Sequence, residues 1–294
     1  MLDSLYLDHR EIQLSPSRNV LTADHLKRAK EFARFPSATI AQHLLEIAKD
    51  TETLVLVFEL YLKTTSTQYL SQISPIERLI CELIQLNKLQ GQFSSAVPSG
   101  KERHASDVLG MMLRQRLTYF FLNLDPKYTM QVHQLGNEHG MREVAWKEAV
   151  SEAAAIARTI ANFLAVSNCY VFLATIEESL RFGVDLIIIT DNFDNWCVSV
   201  KPGADKGEFY AECVINRPQP MHDDYVSAMR GMIYVGAKHM SDLYGETLRA
   251  CRVLVGKTSG EAVDMNLYPQ DVTRLTSFIT RKRPQARAQK DEAA

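Results

Sequence analysis

Through most of the first half of the chain, apolar residues recur three and four apart. In the second half they fall in short unbroken or alternating runs. The first pattern predicts amphipathic helices and the second predicts strands. "TADHLKRAKEFARF" opens with Thr22 and Asp24, both placed for capping. "SATIAQHLLEIAKD" sets Ser37 as an N-cap and lines up Ile40, Leu44, Leu45 and Ala48 as one apolar stripe. "TETLVLVFELYLKT" suits a helix or a strand, and its length favours a helix. "SPIERLICELIQLNKL" begins with Ser74-Pro75, a proline suited to a first helical turn. Residues 91–107, rich in Ser, Gly and Pro, are expected to be a loop that includes the solvated "SGKERH". "VLGMMLRQRLTYFFLNLD" is ambiguous, and a break is expected at 133–142.

From Arg142 the texture changes. A long alanine-rich helix carries Val144, Ala149, Val150, Ala153, Ile156, Ile160 and Leu164 at helical spacing. "CYVFLAT" reads as a strand, "IEESLRF" as a short helical turn, and "GVDLIIIT" as a β-branched strand. "DNFDN" is a turn, and "WCVSVKP" is a strand stopped by Pro202. "GEFYAECVIN" is ambiguous. One or two helices, the strand "CRVLVG" and a closing helix follow. The order α-β-β-β-α-β-α predicts an α/β core, with α+β as the alternative. The expected division is a helical region at 1–140, the α/β core at 141–282 and a disordered tail at 283–294.

Composition narrows the classes. The 294 residues are 46% hydrophobic and carry a formal charge of −2, so no polyanionic partner is demanded. No apolar run is long enough to suggest a membrane span. "MLDSLYLDHREIQLS" lacks the apolar centre of a signal peptide. The five cysteines are scattered, with no C-x-x-C. A cytoplasmic protein without a membrane partner is therefore expected. "VGKTSG" is not a phosphate loop, because Cys251 stands where the first glycine belongs. His133 and His139 do not make a metal pair. "TRKRPQAR", from Thr280, is a basic end that reads as a solvated tail.

Two charges lie inside the apolar strands, Asp185 and Lys201. Buried charges are costly unless paired, hydrogen-bonded or bound to metal. With the turn centred on Phe193, antiparallel pairing sets Asp185 opposite Lys201. Ser199 and Cys197 then lie on the same face. A cross-strand ion pair is the simplest reading. Glu148 and Glu152 read most simply as a solvated helix face, and Glu177 and Glu178 as surface charges near a turn.

"ATIEESLRFGVDLIII…VSVK" resembles the PD-(D/E)XK nucleases over residues 142–215. The resemblance implies a restriction-endonuclease-like mixed sheet flanked by helices. It also implies hydrolysis of DNA phosphodiester bonds with Mg²⁺ or Mn²⁺. Asp185 would anchor the metal, and the carbonyl of Val200 and a carboxylate from Glu212 or Glu208 would complete the protein shell. Lys201 would orient the attacking water. Glu148 or Glu152 would assist from the preceding helix. Ser199 departs from the family's acidic position. S-x-K variants exist in which a glutamate farther along takes that place, and Glu208 and Glu212 are the candidates. DNA is the implied partner, with a homodimer through the N-terminal helices as the expected assembly.

Three functions stand. One is a restriction, defence or mobile-element nuclease. The second is a nuclease-like fold without catalysis, serving nucleic-acid binding or protein assembly, which Ser199 favours. The third is an unrelated helical interaction protein.

Overall fold

The computed structural model describes residues 11–279 apart from 15–17, 35, 68, 70, 94–97, 139–142, 167–168, 191–194, 207–208, 215–224 and 258–262. The N-terminal region is helical: α1 (Ala23–Phe32), α2 (Ala38–Ile47), α3 (Thr51–Thr67), α4 (Pro75–Gln92), α5 (Gly100–Leu122), a 3₁₀ turn (Pro126–Tyr128) and α6 (Thr129–Glu138). Thr22 and Ser37 cap α1 and α2 through their hydroxyls, as expected, and Ser74 caps α4 in the same way ahead of Pro75.

Two expectations here are corrected. The loop expected at 91–107 is already helix from Gly100, because Ser99 accepts the Glu102 N–H while the Glu102 carboxylate accepts the Ser99 N–H. This reciprocal capping outweighs the loop-like composition around it. Of the break expected at 133–142, the stretch to Glu138 is helix in α6, and the remainder lies outside the described residues.

The α/β part is α7 (Glu143–Leu164), β1 (Cys169–Leu173), α8 (Ile176–Phe182), β2 (Leu186–Thr190), β3 (Asn195–Lys206), β4 (Phe209–Val214), α9 (Tyr225–Tyr244), β5 (Leu248–Lys257) and α10 (Pro269–Ile279). Five strands form one mixed sheet in the order β1-β2-β3-β5-β4. Among the described pairs of this sheet, only β3–β5 is parallel. The ambiguous "GEFYAECVIN" supplies β4. β3 passes through Pro202 instead of stopping there, and its pairing with β5 becomes irregular after that residue. The expected tail at 283–294 and most of the expected turn at 191–195 lie outside the described residues.

Alternation along the strands buries both faces. Val171, Leu186, Ile188, Val198, Val200 and Val253 join the larger core. Phe172, Ile187, Cys197 and Ala250 join a smaller one with Ile233, Ala237 and Met240 of α9. The larger core also holds Leu83 of α4, Leu109 of α5 and Val150 of α7, so buried side chains from either side of residue 140 share it. Each fully buried Leu, Ile or Val contributes about 1.5–3 kcal/mol. α5 packs along α7, and α7 packs on β1, β3 and β5. That stacking brings a helical-region side chain to the end of the central strands.

Candidate functional site

Helix α5 buries Val108, Leu109, Met112, Leu113, Leu117 and Phe121. Arg114 lies among them, its side chain only 7% exposed. Arg116, two residues on, points elsewhere and pairs with Glu59 and Glu82. A buried guanidinium needs anions, and two elements deliver them.

The first anion is Asp185, just before β2, its side chain 2% exposed. Its backbone N–H donates to the Val198 carbonyl at 2.8 Å. Its Oδ2 accepts the Val200 N–H at 2.7 Å, so the carboxylate serves a strand donor beyond the last β2–β3 pair. Its Oδ1 meets Arg114 Nη2 at 2.8 Å.

The second anion is Glu152 of α7, 29% exposed. Arg114 Nη1 donates to its Oε2 at 3.0 Å, and Lys201 Nζ donates to its Oε1 at 2.9 Å. One guanidinium thus bridges two carboxylates from two elements, and Lys201 of β3 closes the cluster. Two carboxylates balance two cations.

The protonation states follow from this geometry. Burial pushes the Glu152 carboxyl up, but Arg114 and Lys201 outweigh it and hold it below the ordinary carboxylate range. Burial pulls Lys201 down, while Asp185 and Glu152 more than offset that and leave its ammonium harder to deprotonate than usual. Arg114 is held charged in the same way: burial opposes the charge, and Asp185 and then Glu152 restore it. Glu152, Lys201 and Arg114 are therefore ionised at neutral pH.

Asp185, Lys201, Glu152 and the Val200 N–H come together. The hairpin register differs from expectation by two residues: Leu186 pairs with Val198, which sets Asp185 level with Ser199. A shift of two preserves the faces, so the neighbourhood survives while the partner changes. Lys201 therefore pairs with Glu152, in place of the expected cross-strand pair with Asp185. Ser199 is buried, level with Arg252 of β5, and enters none of the cluster's hydrogen bonds.

Glu212 is not brought to the cluster. It faces Arg252 at 3.6 Å on β4, with β3 and β5 between it and β2. Three strand spacings make roughly 14 Å, too far to share an ion with Asp185. Glu148 is exposed, one turn before Glu152, and Glu208 lies outside the described residues. Glu178, expected at the surface, is buried: its Oε2 accepts the Thr175 N–H at 2.8 Å and its Oε1 accepts the Tyr244 hydroxyl at 3.1 Å.

The divalent cation that the resemblance implies does not fit these side chains as they stand. Mg²⁺ takes oxygen ligands at close to 2.0–2.1 Å in a near-octahedral shell. All four oxygens of Asp185 and Glu152 already accept an N–H, and the guanidinium occupies the space between the two carboxylates. Among the described residues, no three His, Cys, Asp or Glu side chains group closely enough to hold an ion.

Arg114 is the member that sequence reasoning missed. Compared with protein families, with curated proteins and with solved structures, the chain matches none.

Proposed function

We propose that the chain carries a restriction-endonuclease-like core whose hydrolytic centre is replaced by a closed ion-pair cluster, and that it serves as a protein-assembly module. Three features support the core: the α-β-β-β-α-β order, the mixed sheet, and the convergence of Asp185, Glu152 and Lys201 from three elements. The observation that carries the loss of hydrolysis is Arg114 bridging Asp185 and Glu152. A guanidinium is a fixed single charge that cannot bind or activate water as a metal does. Held between the two carboxylates, it meets one oxygen of each, and the Val200 N–H and Lys201 meet the others. The formal charge of −2 adds no general attraction to a polyanion.

A second reading is a working nuclease, favoured by that same convergence of Asp185, Glu152 and Lys201. It requires Arg114 to leave its place. The test is incubation with supercoiled and linear DNA in Mg²⁺ or Mn²⁺ against an EDTA control. The expected result is no cleavage above the control. Metal-dependent nicking that disappears in Asp185→Ala replaces this proposal with the nuclease reading.

A further inference from the structure

Between α3 on one side and α8 and α9 on the other, the surface opens into a cleft of about 780 Å³. Val55, Leu56, Tyr119, Phe182 and Leu243 are among its lining. Leu56 is 67% exposed and Leu243 62% exposed. Leu60, one turn beyond Leu56, is equally bare at 62%, and Val235 and Met232 continue the exposed stripe of α9 away from Leu243. Scattered single leucines need no explanation, but Leu56 and Leu243 face one cleft, and exposed apolar residues continue along the same two helices beyond it, which marks a contact surface.

Acidic residues outnumber basic ones in its lining. Glu52, Glu59, Glu177 and Glu178 line the cleft, and Arg181 is the one Lys or Arg that does. Arg181 pairs with Glu177 and Arg116 with Glu59, whereas Glu52 makes no ion pair among the described residues. An apolar trough with acidic margins is complementary to an amphipathic helix with cationic flanks. The strip is longer than the cleft, which suits a helix better than a compact ligand.

We infer that this cleft binds a basic amphipathic helix of a partner protein. Leucine-like side chains seat between Leu56 and Leu243, and a lysine or arginine stands over Glu52. The inference rests on the assembly reading and names its partner class, while the DNA incubation tests that reading separately. A fluorescein-labelled synthetic helix of about four turns, leucine on one face and lysine on its flanks, is titrated with the full chain. A counterpart with glutamate flanks is titrated alongside. Fluorescence anisotropy should saturate for the lysine helix only. Leu56→Ser and Leu243→Ser change exposed side chains and leave the fold intact, and each should weaken binding by about tenfold. Glu52→Lys should narrow the preference for the lysine helix over the glutamate one. Equal binding of both helices, or binding of neither, overturns the inference. It also fails if the chain sediments as a dimer that Leu56→Ser dissociates, because a second copy then covers the cleft.

Discussion

Arg114 of α5 and Asp185, the residue just before β2, meet at 2.8 Å with side chains 7% and 2% exposed. Removing one member of such a pair leaves the other charged and out of water. Arg114→Ala is therefore expected to lower stability by about 3–5 kcal/mol, read from urea unfolding at neutral pH. A loss below about 1 kcal/mol, the range of surface ion pairs, would mean that the guanidinium does not carry the cluster.

The same substitution should change what the protein binds. Without Arg114, Asp185 and Glu152 face only Lys201, and the cluster has an excess negative charge. Arg114→Ala should gain a Mg²⁺-dependent rise in melting temperature that the parent lacks, since a ligand bound only by the folded state stabilises it by mass action. Parent and variant responding alike to Mg²⁺ would show that the ion binds elsewhere.

Glu152 sets an acid limit. Its folded carboxyl titrates below the ordinary 4.5, because Arg114 and Lys201 outweigh the burial that pushes it up. The unfolded chain then takes up its proton first. The stabilisation is present above 4.5 and is lost as pH falls through the depressed folded value. Glu152→Gln should weaken the protein at neutral pH and flatten its loss of stability below 4.5, measured as the urea midpoint against pH. Lys201, raised above 10.5, sets the opposite limit: its contribution is complete below 10.5 and is lost as pH rises through the folded value.

Gly236 of α9 lets that helix approach α8. A Cβ there would stand 2.5 Å from Phe182 Cβ and 3.4 Å from Val184 Cγ2. Alanine favours a helix interior by about 1 kcal/mol over glycine, but Phe182 Cβ is tied to its own backbone and cannot swing aside. Gly236→Ala should therefore destabilise by about 1–3 kcal/mol, with Gly231→Ala, where nothing lies within 4 Å, as the stabilised control. Equal stability of the two variants would discount the close approach.

Much of this was legible in the chain. Period-2 and period-3.6 patterns marked the strands and long helices, because burial of one face imposes them directly. Asp185 and Lys201 stood out as charges where desolvation forbids idle ones. The pairing between them did not follow, since nothing in "DNFDN" fixes a hairpin to within two residues. Glu152 could not be separated from Glu148 without knowing how α7 is rotated on the sheet. Arg114 was hidden for the same reason: Arg114 and Arg116 are alike in sequence, and only the packing of α5 on α7 decides which is buried. The start of α5 was readable, since Ser99 and Glu102 have capping-box spacing, but Ser, Gly and Pro nearby suggested a loop.

Arg114 lies 38 residues before Glu152, and Lys201 lies 49 residues after it. A ribosome delivers these charges one at a time over several seconds, at about 5–20 residues per second. α5 emerges with a cation on its apolar side and no anion to meet it. The helical region can collapse on itself early, yet the surface around Arg114 must stay wet until α7 and the β2–β3 hairpin arrive. Neutrality of the four-charge cluster thus needs Lys201, the last of its members to be made.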